Sequence, residues 1–271
     1  MRRRAAAALL LAAGLAGCDT YHYVAGTLNE DARKPVQALK HYEKFLAARP
    51  KDPRACEVRL RAAELYRGFG RCGEARMNWE AAVRDFPGSG ACEEKARASL
   101  LTCPDYFPLD QGRTWVYVDS ESRGKAMRLE WEVKASTGSS RGAIQTVLFA
   151  GSRRNREGYE SYEKSDWAIW RTDSKPPEPI LRYPFGQDQA WSEKRAGSSV
   201  QWLVVSATAT VNVAAGEFTD CLKVRELDRR FPNSWRYDYY CPDVGRVKTT
   251  IGGKGYENPN TELLRYGKMT R

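Results

Sequence analysis

The sequence predicts an α+β fold in which a helical N-terminal region precedes a large antiparallel sheet. Across residues 35–101, apolar side chains recur at the three- and four-residue spacing of amphipathic helices. After Cys103 the pattern changes to short alternating runs rich in aromatic and β-branched residues, separated by Gly, Ser, Asn, Asp and Pro. We therefore expect helices over residues 33–103 and a large, curved antiparallel β-sheet or half-barrel over residues 104–271.

The chain begins with the features of a secretory signal peptide. Three arginines at positions 2–4 precede an apolar run over residues 5–15, which is too short to span a bilayer as a permanent helix. The Leu-Ala-Gly-Cys sequence that ends at Cys18 resembles the lipobox of bacterial lipoproteins. The resemblance implies that residues 1–17 are removed, that Cys18 receives acyl chains such as palmitate, and that residues 18–32 form a tether. An ordinary signal peptide followed by a coincidental cysteine is the alternative.

Composition and charge describe the body of the chain that follows the signal peptide. Removal of residues 1–17 takes away three arginines and lowers the formal charge from +10 to +7. The remaining cations are spread along the chain, which indicates a solvated surface or attraction to anionic groups of a bacterial envelope. The apolar stretch over residues 200–215 is interrupted by polar residues and does not predict a membrane span. Because the chain is expected to be exported, we predict no nucleic-acid partner.

The helical region contains an internal repeat with a spacing of 37 residues. The matched pairs are Ala38 with Ala75, Tyr42 with Trp79, Leu46 with Val83, and Pro50 with Pro87. An alanine, an aromatic residue four positions later and a proline twelve positions after the alanine resemble the second helix of a tetratricopeptide repeat, although that family has a shorter period. The resemblance covers about two repeats over residues 33–103 and implies a groove for a protein partner. A plain helical hairpin bundle is the alternative.

Six cysteines remain after Cys18, and an even number in an exported chain indicates disulfide bonds. They are Cys56, Cys72, Cys92, Cys103, Cys221 and Cys241. In tetratricopeptide arrays the first helices of successive repeats are neighbours. The resemblance therefore implies the pairs Cys56–Cys92 and Cys72–Cys103, one of the three pairings that four cysteines allow. Their spacing is not that of zinc knuckles, so we predict no metal site.

The sheet region resembles an uncharacterised β-rich domain of bacterial envelope lipoproteins. The segments that carry the resemblance are Phe107-Pro108-Leu109 with Gly112 and Trp115, Ala215-Gly216-Glu217-Phe218 with Cys221-Leu222-Lys223-Val224, and Tyr240-Cys241-Pro242-Asp243-Val244-Gly245 with Val247-Lys248. The resemblance brings no known activity. It implies that Cys221 and Cys241 lie on neighbouring strands and form a disulfide bond, with two buried free thiols as the alternative.

The sequence shows no recognisable catalytic arrangement. Its two histidines, His22 and His41, fall in the expected tether and on a helix face that looks exposed. No nucleophile elbow, phosphate-binding loop or zinc-protease motif occurs. Glu130 and Glu132 share one face of a strand, and the alternation turns them towards water. We therefore predict that the protein is not an enzyme and has no cofactor.

Aromatic residues are the clearest functional signal in the sheet region. Its tryptophans are Trp115, Trp131, Trp167, Trp170, Trp191, Trp202 and Trp235. They indicate either a packed core or a concave surface that receives an acyl chain, a glycan or a peptide.

These observations predict a non-enzymatic, lipid-anchored protein of the cell envelope. Its acyl chains on Cys18 would hold it to the periplasmic face of the inner or outer membrane, or at the cell surface. Residues 33–103 would bind a protein partner, so that the protein acts as a scaffold or assembly factor. One alternative is a lipid or lipoprotein carrier, which requires a deep apolar pocket among the tryptophans. The other is a cell-wall glycan-binding or glycan-active protein, which requires convergent carboxylates in a cleft.

Overall fold

The structure is a computed structural model that describes residues 20–138, 140–195 and 197–268. The signal peptide and Cys18, with its expected acylation, lie outside the described residues. The chain divides after Cys103 into two compact units, which we call the helical unit and the sheet unit. None of the helices over the described residues is long and apolar enough to cross a membrane.

The helical unit contains five helices within the described residues. They are α1, which includes residues 20–31, α2 (Pro35–Ala48), α3 (Ala55–Gly68), α4 (Cys72–Asp85) and α5 (Ala91–Ser99). Helix α1 lies where the sequence predicts a tether over residues 18–32, so that prediction is wrong for residues 20–31. It is helical because it has a face to bury: Ala25 is buried, and Gly26 leaves room for the ring of Tyr42. The hydroxyl of Tyr42 also donates to Glu30 at 2.6 Å.

Consecutive helices of this unit pack against one another, and α3 also contacts α5. Half of the buried positions on α2 to α5 are alanines, and a few are large rings such as those of Tyr42 and Trp79. Helix axes can approach closely at the alanines. Two disulfides join the helices: Cys56–Cys92 links α3 to α5, and Cys72–Cys103 links α4 to the end of the unit. These are the two pairs that the tetratricopeptide resemblance implies. The packing fits helical hairpins and does not itself assign the repeat family.

The sheet unit forms one antiparallel sheet of twelve strands within the described residues. They are β1 (Arg113–Asp119), β2 (Met127–Thr137), β3 (Arg141–Ala150), β4 (Arg153–Ser165), β5 (Ala168–Arg171), β6 (Glu178–Arg182), β7 (Ala190–Arg195), β8 (Ser198–Val213), β9 (Gly216–Asp228), β10 (Ser234–Cys241), β11 (Gly245–Gly253) and β12 (Tyr256–Lys268). Their order is β6-β5-β4-β3-β2-β1-β12-β11-β10-β9-β8-β7. The Cys221–Cys241 disulfide joins the neighbouring strands β9 and β10, as the lipoprotein-domain resemblance implies.

The sheet curls until its two edge strands, β6 and β7, meet through side chains. The indole N–H of Trp191 on β7 donates to the carbonyl oxygen of Pro179 on β6 at 2.9 Å. Arg182 on β6 also pairs with Glu193 on β7 at 3.1 Å. Side chains therefore cover the edges that would otherwise present unpaired backbone groups. The result is a nearly closed, barrel-like sheet, more strongly curved than the half-barrel that the sequence predicts.

The antiparallel order gives the sheet two distinct ends. Every turn that follows an odd-numbered strand lies at one end, which we call the hairpin end. Its turns are residues 120–126, 151–152, 172–177, 197, 229–233 and 254–255. The opposite end, the plug end, carries residues 138 and 140, 166–167, 183–189, 214–215 and 242–244, together with the segment 104–112 that precedes β1.

Residues 104–112, which we call the plug segment, are packed inside the plug end. The ring of Phe107 lies 4.6 Å from that of Tyr162, measured between centroids. Leu109 is fully buried against Gly142, where a Cβ atom would lie 3.1 Å from the leucine side chain. This segment fills one end of the sheet and leaves the inner face free towards the other.

Candidate functional site

A cavity of about 730 Å³ follows the inner face of the sheet, which we call the interior cavity. Its charged lining residues are Arg156, Glu160, Arg171, Asp173, Glu178, Arg195, Glu226, Arg236 and Arg246. Of the seven tryptophans in this unit, Trp131 is the one that lines it among the described residues. The cavity is therefore polar and charged, whereas a lipid carrier requires an apolar pocket among the tryptophans.

Strand β10 shows how charged residues come to face inward. Arg236 and Tyr240 line the interior cavity, and Asp238 on the same face is 4% exposed. The alternate residues turn outward, where Lys223 Nζ lies 4.3 Å from the ring centroid of Tyr237. The strand therefore places Arg236 and Asp238 inside with Tyr240 and turns Tyr237 outside, since a strand alternates its side chains between two faces.

An ion-pair network joins the edges of the curled sheet to its centre. Arg195 on β7 pairs with Glu178 on β6 at 2.5 Å and with Glu226 on β9 at 2.7 Å. Glu226 also accepts from Arg236 at 2.7 Å, and the Nε of Arg236 lies 2.8 Å from Asp238. Charges removed from water are stable only when paired, and here each carboxylate meets at least one guanidinium.

A second charged group lies on β4 and β5. Arg171 reaches Asp173 at 3.1 Å and Glu160 at 3.5 Å. The hydroxyl of Tyr162 donates to Glu160 at 2.6 Å. Burial first, and then the Glu160 carboxylate, raise the pKa of Tyr162 well above its usual value, so this hydroxyl stays protonated and remains a donor.

Among the half-buried arginines that line the cavity, Arg246 has the fewest close partners. Its guanidinium lies 4.3 Å from the ring centroid of Trp131 and 5.1 Å from that of Tyr117. Its ion contact with Asp238 is long, at 3.8 Å. Its buried Nε has no hydrogen-bond partner among the described residues. A guanidinium held by ring faces, with N–H donors still free, is suited to bind a carboxylate or a phosphate.

Arg156 provides a second available cation at the same cavity. It is exposed, and its side chain has no ion pair or hydrogen bond with any described residue. Together, Arg156 and Arg246 give the interior cavity two guanidinium groups that are not saturated by protein carboxylates. The cavity can therefore accept an acidic group of a ligand without first breaking a short ion pair.

Of the tryptophans, glutamates and disulfide cysteines singled out in the sequence, Trp131 lines this cavity and the other described ones lie apart from it. Glu130 pairs with Arg128 at 3.0 Å and Glu132 with Lys134 at 2.5 Å, outside the lining of the cavity. The six cysteines form structural disulfides within each unit. No group of three potential metal-ligating side chains gathers anywhere in the described part of the chain.

The two histidines meet in the helical unit. His22 lies on α1 and His41 on α2, and their Nδ1 atoms are 3.0 Å apart. Burial, and then the neighbouring His22 and Lys44, lower the pKa of His41. Sequence reasoning missed this pair because it placed His22 in a tether.

The cavity residues were also missed, since alternating charged and aromatic residues do not reveal which face of a strand turns inward. One signal was present: runs such as residues 235–239 alternate rings with charges over a whole strand. In a curled sheet, either the rings or the charges of such a run can face the interior.

Comparison with known proteins does not assign a family. No protein-family model and no curated protein matches the chain. Two solved structures are similar, each at 16% sequence identity. One is a proposed exported protein with a YmcC-like fold from Bacteroides fragilis NCTC 9343, with a TM-score of 0.42 over 61% of this chain and 100% of that chain. The other is a proposed lipoprotein from Parabacteroides distasonis ATCC 8503, with a TM-score of 0.40 over 60% of this chain and 98% of that chain.

Proposed function

We propose that the protein is a lipid-anchored, non-enzymatic protein of the cell envelope whose sheet unit binds a hydrophilic, acidic ligand of the cell wall. The class of ligand is a glycan or glycopeptide that carries carboxylates. The observation that supports this proposal is the charged interior cavity with its two incompletely paired arginines, Arg246 and Arg156. The envelope location and the acyl anchor rest on the lipobox resemblance at Cys18.

The lining argues against an acyl chain as the ligand. An apolar chain in the cavity would gain little from its surroundings and would cover ion pairs such as Arg195–Glu226 without replacing their water contacts. A polar ligand can use the same groups, because a carboxylate accepts two parallel N–H bonds from a guanidinium. The exposed ring of Tyr159 adds an apolar face for the sugar rings or aliphatic parts of such a ligand.

The test is calorimetric titration of residues 18–271 carrying Cys18→Ser, which lack the signal peptide and cannot be acylated, with disaccharide-peptide fragments of peptidoglycan. We expect binding of fragments with free carboxylates and much weaker binding once those carboxylates are amidated. Arg246→Gln and Arg156→Gln should each weaken binding about tenfold, the effect of one hydrogen bond to a charged group. Arg265→Gln, an exposed arginine on β12 outside the cavity, is the matched control and should bind as the parent protein does.

Two results would contradict the proposal. Equal affinity for free and amidated fragments would exclude recognition of the acidic group. Arg156 is exposed, so Arg156→Gln should not disturb folding. Unchanged binding by both cavity variants would therefore show that the ligand does not bind in the cavity. A phospholipid that copurifies with the protein and is released on denaturation would instead favour the carrier function.

The helical unit supports a second candidate function, that of a scaffold for a protein partner through its tetratricopeptide-like helices. The supporting observation is a set of exposed apolar side chains, including Met77, which is 60% exposed, and Val36, which is 51% exposed. Photo-crosslinking groups placed at Met77 and Val36 in cells should capture one defined partner. The same groups at the exposed Lys40 and Glu80 serve as neighbouring polar controls.

A further inference from the structure

The turns at the two ends of the curled sheet carry opposite charge. The turns of the hairpin end contain six basic residues, Arg123, Lys125, Lys175, Arg229, Arg230 and Lys254, against two acidic ones, Glu121 and Asp173. The turns of the plug end and the plug segment contain five aspartates and no lysine or arginine. The strand order alone produces this separation, because odd-numbered strands all end on the same side.

The basic residues of the hairpin end are available for binding. All six are exposed. Arg230 pairs with Asp228 at 2.5 Å, whereas the other five have no ion pair or side-chain hydrogen bond with any described residue. They lie on four separate turns, so they form a spread of cations and not one convergent pocket.

An exposed aromatic residue lies within this set of charges. Phe231, in the turn between β9 and β10, is 63% exposed and follows Arg229 and Arg230 directly. Its exposure gives the hairpin end an apolar tip beside two guanidinium groups. A basic surface with a projecting aromatic side chain is typical of contacts at the headgroup level of a bilayer.

We propose that the hairpin end docks on an anionic phospholipid surface, with Phe231 entering the headgroup layer. Dispersed, exposed cations match a plane of lipid phosphates better than a single ligand, which would need them to converge. Each lysine or arginine near an anionic surface contributes about 1 kcal/mol, an attraction that salt screens. The interior cavity reaches this end at Asp173, but none of the six cations lines it. The proposal therefore does not depend on the ligand proposed above.

The test is sedimentation of the chain without its signal peptide, residues 18–271 carrying Cys18→Ser, with phosphatidylcholine vesicles prepared with or without phosphatidylglycerol. We expect binding only to vesicles with phosphatidylglycerol, and release at high salt. The double variant Arg229→Gln/Lys254→Gln should lower the partition coefficient at least about tenfold, given the contribution of each cation. Phe231→Ser should weaken binding further at moderate salt, where the apolar contact carries more of the affinity.

The matched control removes the same charge from elsewhere in the sheet. Lys134→Gln/Arg141→Gln changes two exposed cations near the plug end and should leave vesicle binding almost unchanged. An equal loss in the control and hairpin-end variants would show attraction by net charge alone and would overturn the proposal. Equal binding to vesicles without phosphatidylglycerol, or no binding to either kind, would overturn it as well.

Discussion

Lys164 and Asp105 form an ion pair that water barely reaches. Lys164 is 1% exposed and Asp105 is 9% exposed, and Nζ lies 2.6 Å from Oδ2. Asp105 also accepts the backbone N–H of Phe107 at 2.9 Å. Burial raises the pKa of Asp105, and the Lys164 ammonium opposes that rise. The pair ties the plug segment to β4, so it fixes the floor of the interior cavity.

Lys164→Met should lower the free energy of unfolding by about 3–5 kcal/mol, because it leaves a buried carboxylate without a counter-charge. Urea denaturation at neutral pH measures the loss. Lys254→Met removes the same charge from an exposed turn and should change stability by less than about 0.5 kcal/mol. If both variants lost similar amounts of stability, the Lys164–Asp105 pair would not be what anchors the plug segment to β4.

The stability of the Lys164→Met variant should depend on pH. Without Lys164, the raised pKa of Asp105 rises further, so the folded state binds a proton more tightly than the unfolded chain does. The stability of Lys164→Met relative to the parent protein should therefore recover as the pH falls towards the acidic range. If the loss of stability in Lys164→Met stayed constant across that range, the charge of Asp105 would not be its cause.

At the scale of elements, the His22–His41 contact makes the packing of α1 on α2 sensitive to pH. The lowered pKa of His41 means that the folded state binds the proton more weakly than the unfolded chain, whose value is 6.5. Stability is therefore complete above that value and declines as the pH falls below it. Far-UV circular dichroism during urea unfolding at about pH 7.5 and about pH 5 should show the decline. His41→Gln should reduce it, and an undiminished decline in that variant would contradict the assignment.

The disulfides of the helical unit constrain short helices that would otherwise hold few contacts. Cys56–Cys92 spans 36 residues and Cys72–Cys103 spans 31, and each loop of this length stabilises by about 2–4 kcal/mol. The double variant Cys56→Ala/Cys92→Ala should lose its helical circular dichroism signal at a lower denaturant concentration than the parent protein. Cys221→Ala/Cys241→Ala is the matched control, since it should leave that signal unchanged. Loss of the helical signal in both variants would contradict separate stabilisation of the two units.

At the scale of the molecule, the sequence predicts the two units because helix and strand have different periods, but it does not predict the cavity. In β10, Trp235, Arg236, Tyr237 and Asp238 alternate in a way that fits either face turned inward. The choice depends on closure of the sheet, where Arg195 meets partners from distant strands. No local pattern records such long-range pairing. The cysteine pairs of the helical unit could be predicted from the sequence because the repeat resemblance already implies which helices are neighbours.

The sheet unit should fold on its own when residues 104–271 are produced as an exported fragment. Within the described residues its strands pair only with one another, β1 lies beside β12, and its disulfide joins β9 to β10. We expect the fragment to form Cys221–Cys241, to unfold cooperatively and to keep its binding of acidic peptidoglycan fragments.

The informative control is a fragment that begins at residue 113 and so lacks the plug segment. It loses the buried side chains of Phe107 and Leu109 and leaves Lys164 as an unpaired buried cation. Both losses are destabilising, and together they should abolish cooperative unfolding. If the shorter fragment were as stable as the longer one, the plug segment would not be part of the core. If neither fragment folded, the sheet unit would depend on the helical unit, and the assignment of ligand binding to an autonomous sheet would have to be withdrawn.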